Sequence, residues 1–496
     1  MELKVRFLRW SAGIPVAMLS KETAIKMGAH IHDRVSIKTH SNNSKEIFTI
    51  IDIVEGLVKN NEIVVSSEIK KIINLKVKQK VEVNIAQVPK SLEFIKKKLI
   101  KKTLTESEIS EIIEDVVNNS LSEPEIALFI SAMYNNGMNF KETFYLTKAI
   151  LKGGERLSFK NKKVVDKHSI GGIAGNRTTP IVVSICAAAG LIVPKSSSRA
   201  ITSPAGTSDV IECIANVEFS AKEVKKIIKK TNACLIWGGA LEIAPADSKI
   251  INLERMLNID PEAQLVASIM AKKLAMGAKY IIIDIPYGKT AKVNKEKAER
   301  LKRRFEELGR AFRKKVKVIL MEAREPMGTG VGPVLELIDV ISVLDPSKKG
   351  PVDLKKKSLI LAGELLEMTK KAKKGEGVIL ARKILYSGKA FKKFKEIILA
   401  QGGSLSKMNK LKPAKFKKDI FSKRHGRINE IDNLKINSLA RIAGCPADKL
   451  SGLQVPVSVG DIIKKGTKLM TIYSESRLKL KQAIKFYEDK KPIEID

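Results

Sequence analysis

The chain has 496 residues, 44% of them hydrophobic, enough for two to four domains with buried cores, because single cores stop growing near ~250 residues. Lys and Arg number 91 against 54 for Asp and Glu, a net charge of +37, yet aromatic residues are 5% and no stripe of Arg interleaves with Tyr or Phe, so no nucleic-acid partner is expected. Cys186, Cys213, Cys234 and Cys445 show no CxxC spacing, which excludes a disulfide framework and a zinc site. No run approaches the ~18 apolar residues of a membrane span, and MELKVRFLRW lacks an apolar signal core, so a cytoplasmic enzyme without a membrane partner is the expectation.

Residues 1–87 contain a repeat: Leu19-Ser-Lys-Glu, Ile31, Val35 and Ile37 return as Val65-Ser-Ser-Glu, Val77, Val81 and Val83. Each copy reads as strand, short helix capped by Ser20 or Ser66, and strand with period-two alternation, which predicts a small pseudo-symmetric β-barrel of the double-psi kind. From about 92 to 155 the pattern turns helical. Thr105-Glu-Ser-Glu108 and Ser122-Glu-Pro-Glu125 read as capping boxes, and Ile109, Ile112, Ile113 and Val116 recur at helical spacing.

The chemistry concentrates in Val164–Glu212. Val164 and Val165 run into Lys167, Ser169, Gly171 and Gly172, and an apolar helix-length run separates these from Ser196-Ser-Ser-Arg-Ala-Ile-Thr-Ser-Pro-Ala-Gly-Thr207. Eight of those twelve are Gly or carry a donor side chain, poor core material but suited to oxygen-rich ligands. Glycines let backbone N–H groups approach an anion, while Lys, Ser and Thr supply one charge and several hydroxyls. The segment is neither GxxxxGK[ST] nor GxGxxG, so spacing alone leaves a purely structural turn open.

Further along, Ala221–Lys230 reads as a basic amphipathic helix with solvated charges. Asp260 and Pro261 read as N-cap and first residue of a helix that sets Ser268 and Lys272 one turn apart. A strand from Tyr280 to Ile285 feeds the turn Gly288–Lys292, and Val316–Met321 is another strand in a mixed sheet with helices that runs to about 405. Gly328, Gly330 and Gly332 are read as shaping a turn before a helix, and Lys407–Arg427 as a linker or exposed edge. Val455–Tyr473 reads as strand, Gly-marked turn and strand.

The pairing of KHSIGGIAGN with SSRAITSPAGTSDVIE resembles the signature of the thymidine and pyrimidine nucleoside phosphorylases, and the match runs from about Leu104 to the C-terminus. The wording AIT replaces the Gly-Leu-Gly-His run of the nucleoside enzymes, and in that detail the chain is similar to an archaeal branch acting on AMP. The resemblance implies an all-α lobe (92–155 with 245–275), an α/β phosphate-binding lobe (160–244 with 276–405) and a C-terminal α+β hammerhead-like domain (415–496). It also implies a homodimer or larger homo-oligomer.

By the same resemblance, Lys167, Ser169, Thr178, Ser197 and Thr207 contact inorganic phosphate, a co-substrate, with no cofactor and no metal. Gly172, Ser198, Arg199, Ala200, Ile201, Thr202, Ser203, Thr207, Ser268 and Lys292 would contact AMP, and Lys272 the base. Asp260 would donate a proton to purine N7, which requires a carboxyl pKa raised by burial or by neighbouring phosphates. An Arg that reads the pyrimidine in those enzymes falls here on Leu253 or Glu254, one or two residues before Arg255, so base readout by Arg255 stays open. The implied reaction is phosphorolysis of AMP, with CMP and UMP as further substrates, to free base and ribose 1,5-bisphosphate. Competing readings are a pyrimidine nucleoside phosphorylase, a phosphoribosyltransferase and, from another class, an RNA-binding protein.

Overall fold

The computed structural model describes residues 1–8, 12–13, 15–40, 44–159, 162–200 and 203–496. It divides into two compact units, one of Met1–Gly153 with Pro245–Ala267 and one of Gly154–Ala244 with Ser268–Asp496.

The first unit opens with β1 (Glu2–Phe7), β2 (Val16–Ser20), β3 (Arg34–Thr39), β4 (Glu46–Val54), β5 (Glu62–Val65) and β6 (Lys80–Ile85). They close into a barrel in the order β1-β5-β2-β4-β3-β6. The repeat is written into the register. Lys4 pairs with Glu62 in parallel, and shifting each by 46, one forward and one back, gives Ile50 with Val16, which also pair in parallel. Leu3 opposite Val81 becomes Thr49 opposite Val35 by the same operation, and both pairs are antiparallel. The alternating apolar positions Leu3, Val5, Val35, Ile37, Val81 and Val83 fill the interior. Ser20 accepts from the Thr23 N–H at 3.1 Å as expected of a cap, but Ser66 differs: its hydroxyl accepts from Val16 N at 3.3 Å on β2 and makes no capping bond to its own helix.

Helices Ser91–Leu99, Glu106–Asn118, Glu123–Asn136, Phe140–Lys152 and Pro245–Leu257 complete the unit. Ile109, Ile112, Ile113 and Val116 are buried along one helix face. Glu108 and Glu125 reach back to the N–H groups of Thr105 and Ser122 at 2.7 Å each, so both capping boxes form on their acidic side. Lys249 ends the Glu106–Asn118 helix from outside: its ammonium donates to the carbonyls of Val116 at 2.7 Å and Val117 at 2.8 Å and to Asn119 Oδ1 at 2.6 Å. The two carbonyls stand at the negative end of the helix dipole, where intrahelical donors run out.

The second unit is built on β7 (Val165–Ser169), β8 (Val193–Ser197), β9 (Ala233–Trp237), β10 (Tyr280–Tyr287) and β11 (Lys315–Glu322). The mixed sheet expected here is instead parallel throughout: β11-β10-β7 and β8-β9 pair in parallel, and a parallel bridge from Val164 to Ile192 joins the two. A helix follows each strand that must cross over, and such crossovers return the chain in the same direction. Helices Thr178–Ala188, Pro333–Leu344, Val352–Met368 and Lys389–Ala400 pack an apolar core around these strands.

The C-terminal part contributes β12 (Gly330–Val331), β13 (Phe416–Phe421), β14 (Gly426–Ile431), β15 (Gly452–Gln454), β16 (Ile462–Ile463), β17 (Lys468–Ser474) and β18 (Ile493–Ile495). One sheet runs β12-β15-β17-β13 and another β16-β14-β18, with helices Asn433–Ile442 and Arg477–Lys490 against them. The basic run therefore contains an edge strand, β13, which among the described residues pairs only with β17. Among the described residues no helix is long and apolar enough to cross a membrane.

Candidate active site

β7 delivers Lys167 and Ser169 to a turn in which Gly171, Gly172 and Gly175 all take positive φ, and the helix beginning at Thr178 follows at once. Lys167 is 1% exposed, and its Nζ donates to Thr178 Oγ1 at 2.7 Å and lies 3.5 Å from Asp284 on β10. Burial pushes its ammonium down to about 8 despite the Asp284 carboxylate. Asn176 spans the turn, with Nδ2 at 3.3 Å from both Ser169 Oγ and Asp284 Oδ2. His168 is held well below its usual pKa by burial and by the nearby ammonium groups of Lys195, Lys273 and Lys272, so it is neutral.

The second cluster folds around carboxylates of its own. Asp209 accepts from the N–H groups of Ala200 at 2.7 Å and Gly206 at 2.8 Å, and a Cβ on Gly206 would lie 2.4 Å from the Ser198 carbonyl. Ser197 and Ser208 hydroxyls meet at 2.8 Å, and Ser203 Oγ donates to the Ala205 carbonyl at 2.8 Å. Arg199 is engaged with protein: it forks onto Glu212 at 2.6 and 2.8 Å, reaches Glu218 at 2.9 Å and stacks 4.7 Å over Trp237. Ser198 is exposed, Arg199 and Ser203 are half-buried, and Ile201 and Thr202 lie outside the described residues.

Arg177, which sequence reasoning missed, ties the two clusters together. Its guanidinium donates to Thr207 Oγ1 at 3.0 Å, to the Ala205 carbonyl at 2.6 Å and to Glu336 at 2.8 Å. Lys167, Ser169, Thr178 and Thr207 are thereby joined through Asn176 and Arg177. Gly172 and Lys292 also come together: a Cβ on Gly172, at φ 93°, would lie 2.6 Å from Lys292 Cβ. The Gly172 carbonyl accepts from Asn437 Nδ2 at 3.3 Å, and Thr290 Oγ1 from Asn433 N at 3.3 Å, so the Asn433–Ile442 helix braces both loops. Lys289 turns away onto Glu430.

The helix Glu262–Ala275 passes from one unit to the other between Ala267 and Ser268. Ser268 (6% exposed) and half-buried Lys272 thus belong to the second unit, not with the helical lobe. It is Lys273 beside Lys272 that is buried, with Nζ 2.6 Å from Asp166. Asp260 belongs to the first unit and stands two residues before the helix Glu262–Ala275, whose hydrogen bonding already includes Leu265 N donating to the Pro261 carbonyl at 2.9 Å. Leu253 is buried and Arg255 exposed.

The Gly328–Gly332 loop spends its amides on carboxylates: Gly330 N on Asp339 at 2.7 Å and Gly332 N on Glu336 at 3.0 Å. A cavity of about 380 Å³ beside it, lined by Gly330, Leu335, Asp339, Lys349 and Val352 among others, includes none of the residues that the resemblance assigns to phosphate or AMP.

A helical bundle followed by a parallel α/β domain with a glycine turn at the end of β7 defines a class. Residues 92–154 match the model described as glycosyl transferase family, helical bundle domain, and residues 161–391 the model of the a/b domain of that family. Anthranilate phosphoribosyltransferase from Thermus thermophilus shares the fold, with a TM-score of 0.52 over 62% of this chain and 99% of that one at 18% identity. Full-length relatives are closer in sequence. The chain is 39% identical over 495 residues to the AMP phosphorylase of Methanococcus vannielii, covering 100% of this chain and 97% of that protein. It is 41% identical over 495 residues to the AMP phosphorylase of Pyrococcus furiosus, covering 99% and 97%. The chain belongs to the AMP phosphorylases of the thymidine and pyrimidine nucleoside phosphorylase family.

Proposed function

We propose that the chain catalyses the phosphorolysis of AMP to adenine and ribose 1,5-bisphosphate, accepting CMP and UMP as further substrates. The observation that carries this reading is identity of about two residues in five with AMP phosphorylases along the whole chain, joined to a buried lysine held on a helix-start hydroxyl beside a glycine turn.

Phosphorolysis makes little covalent demand on the protein; it requires placement of phosphate, stabilisation of positive charge at C1′ and protonation of the departing base. Lys167, Ser169, Thr178, Ser197 and Thr207 hold inorganic phosphate through one ammonium and four hydroxyls. Gly172, the 198–203 run, Thr207, Ser268 and Lys292 hold AMP, with Lys272 on the base side. Because the guanidinium of Arg199 is committed to Glu212 and Glu218, its segment offers AMP backbone groups and the exposed Ser198 hydroxyl. Asp260 donates the proton to N7. The β1–β6 barrel is of the double-psi kind, a reading supported by its two parallel pairings across the repeat, and the C-terminal part is the hammerhead-like module.

The test is release of base from AMP, adenosine and thymidine in the presence of phosphate. Base from AMP is expected; base from thymidine but not from AMP would transfer the chain to the nucleoside enzymes. Asp260→Asn should retain AMP binding, measured by calorimetry, and lose most turnover. Unchanged turnover would remove Asp260 from the chemistry.

A further inference from the structure

Beneath the glycine turn lie four buried lysines and two buried aspartates: Lys167, Lys195, Lys273 and Lys357 with Asp166 and Asp284, all at most 4% exposed. Asp166 is shared by Lys273 at 2.6 Å and Lys195 at 3.3 Å. Asp284 is shared unequally. Its Oδ1 lies 2.9 Å from Lys357, on the helix Val352–Met368, whereas its Oδ2 faces Lys167 at 3.5 Å and Asn176 at 3.3 Å. The nearest partner of Lys167 is a neutral hydroxyl, Thr178 Oγ1 at 2.7 Å.

We propose that Lys357 is a positioning residue for phosphate: by taking the Asp284 carboxylate, it leaves the Lys167 ammonium on Thr178 with its charge available to an anion at the turn. This rests on the reading of Lys167 as a phosphate ligand. A carboxylate removed from water needs a cation at contact distance, and a buried pair that loses one member reorganises around what remains. Burial works to raise the Asp284 carboxyl, yet Lys357 and then Lys167 outweigh it and hold it below the usual carboxylate range. Without Lys357, the remaining cation beside Asp284 is Lys167, which would close the 3.5 Å gap and leave Thr178.

The experiment compares wild type, Lys357→Met and the double variant Lys357→Met/Asp284→Asn, measuring the KM for phosphate and kcat at saturating AMP. Lys357→Met should raise the KM for phosphate by about tenfold with a smaller effect on kcat. The double variant, which removes the carboxylate along with its partner, should return the KM towards wild type. A merely structural lysine would give no such rescue. A wild-type KM in Lys357→Met, or a raised KM in the double variant, overturns the proposal; the second result stands even if the single variant fails to fold. If the wild-type chain releases no base from AMP, the functional reading fails instead. Calorimetric titration with inorganic phosphate then decides on Lys357, since it needs no turnover, and absence of binding to the wild type overturns the proposal.

Discussion

Lys167 is buried to 1% exposure, and burial brings its ammonium down to about 8, against the pull of Asp284 and aided by repulsion from Lys357 and Arg177. The sign of the consequence follows directly. Below about 8 the group is charged and can hold an anion; above it the proton leaves and the attraction is lost, while inorganic phosphate is by then already mostly the dianion. The KM for phosphate should therefore rise by up to about tenfold per pH unit beyond the break, and Lys167→Arg should remove that alkaline break from initial-rate profiles while leaving the acid-side change that comes from phosphate's own ionisation. At this scale the hydroxyl and glycine residues were readable, because residues unsuited to a core announce themselves by type. Arg177, Asp166, Lys273 and Asp284 were not, since a lone charged residue in a strand, a helix or the turn before one looks like a solvated one until its partner, often a hundred residues away, is placed against it. Lys272 and Lys273 illustrate the limit: they are adjacent in sequence, and helix rotation alone buries the second on Asp166.

Helix ends carry the next level. Lys249 docks on the last turn of Glu106–Asn118 with three acceptors, and burial lowers its ammonium to about 8. Lys249→Met should destabilise the protein by about 1–3 kcal/mol at neutral pH by stripping helix-end carbonyls of their donor. A base whose folded pKa is depressed binds fewer protons folded than unfolded, so its contribution to stability grows as pH rises from about 8 towards the ordinary 10.5. The melting-temperature gap between wild type and variant should widen over that interval. Acidic caps such as Glu108 and Glu125 were legible because capping is local, three residues apart. Strand direction was less so: nothing within β7 or β10 says parallel, which is decided by the helices that intervene.

Taken whole, the chain carries a net charge of +37 while its proposed substrates are small anions. Screening shortens that field to ~10 Å at 0.1 M salt, so kcat/KM for AMP should fall between about 0.05 and 0.5 M KCl by several-fold with no loss of the circular-dichroism signal. A salt-independent kcat/KM would assign the charge to solubility alone. The repeat at the N-terminus was visible because both copies keep the same spacing, whereas the division between Ala267 and Ser268 was not, since it falls inside one uninterrupted helix. The barrel's crossed register has a consequence for its origin. Half of it, β1 to β3, would find the parallel neighbours of β1 and β2 only in the other half. A lone copy could satisfy those backbone amides only by meeting its twin, so the fused pair has the pairing of a homodimer made covalent.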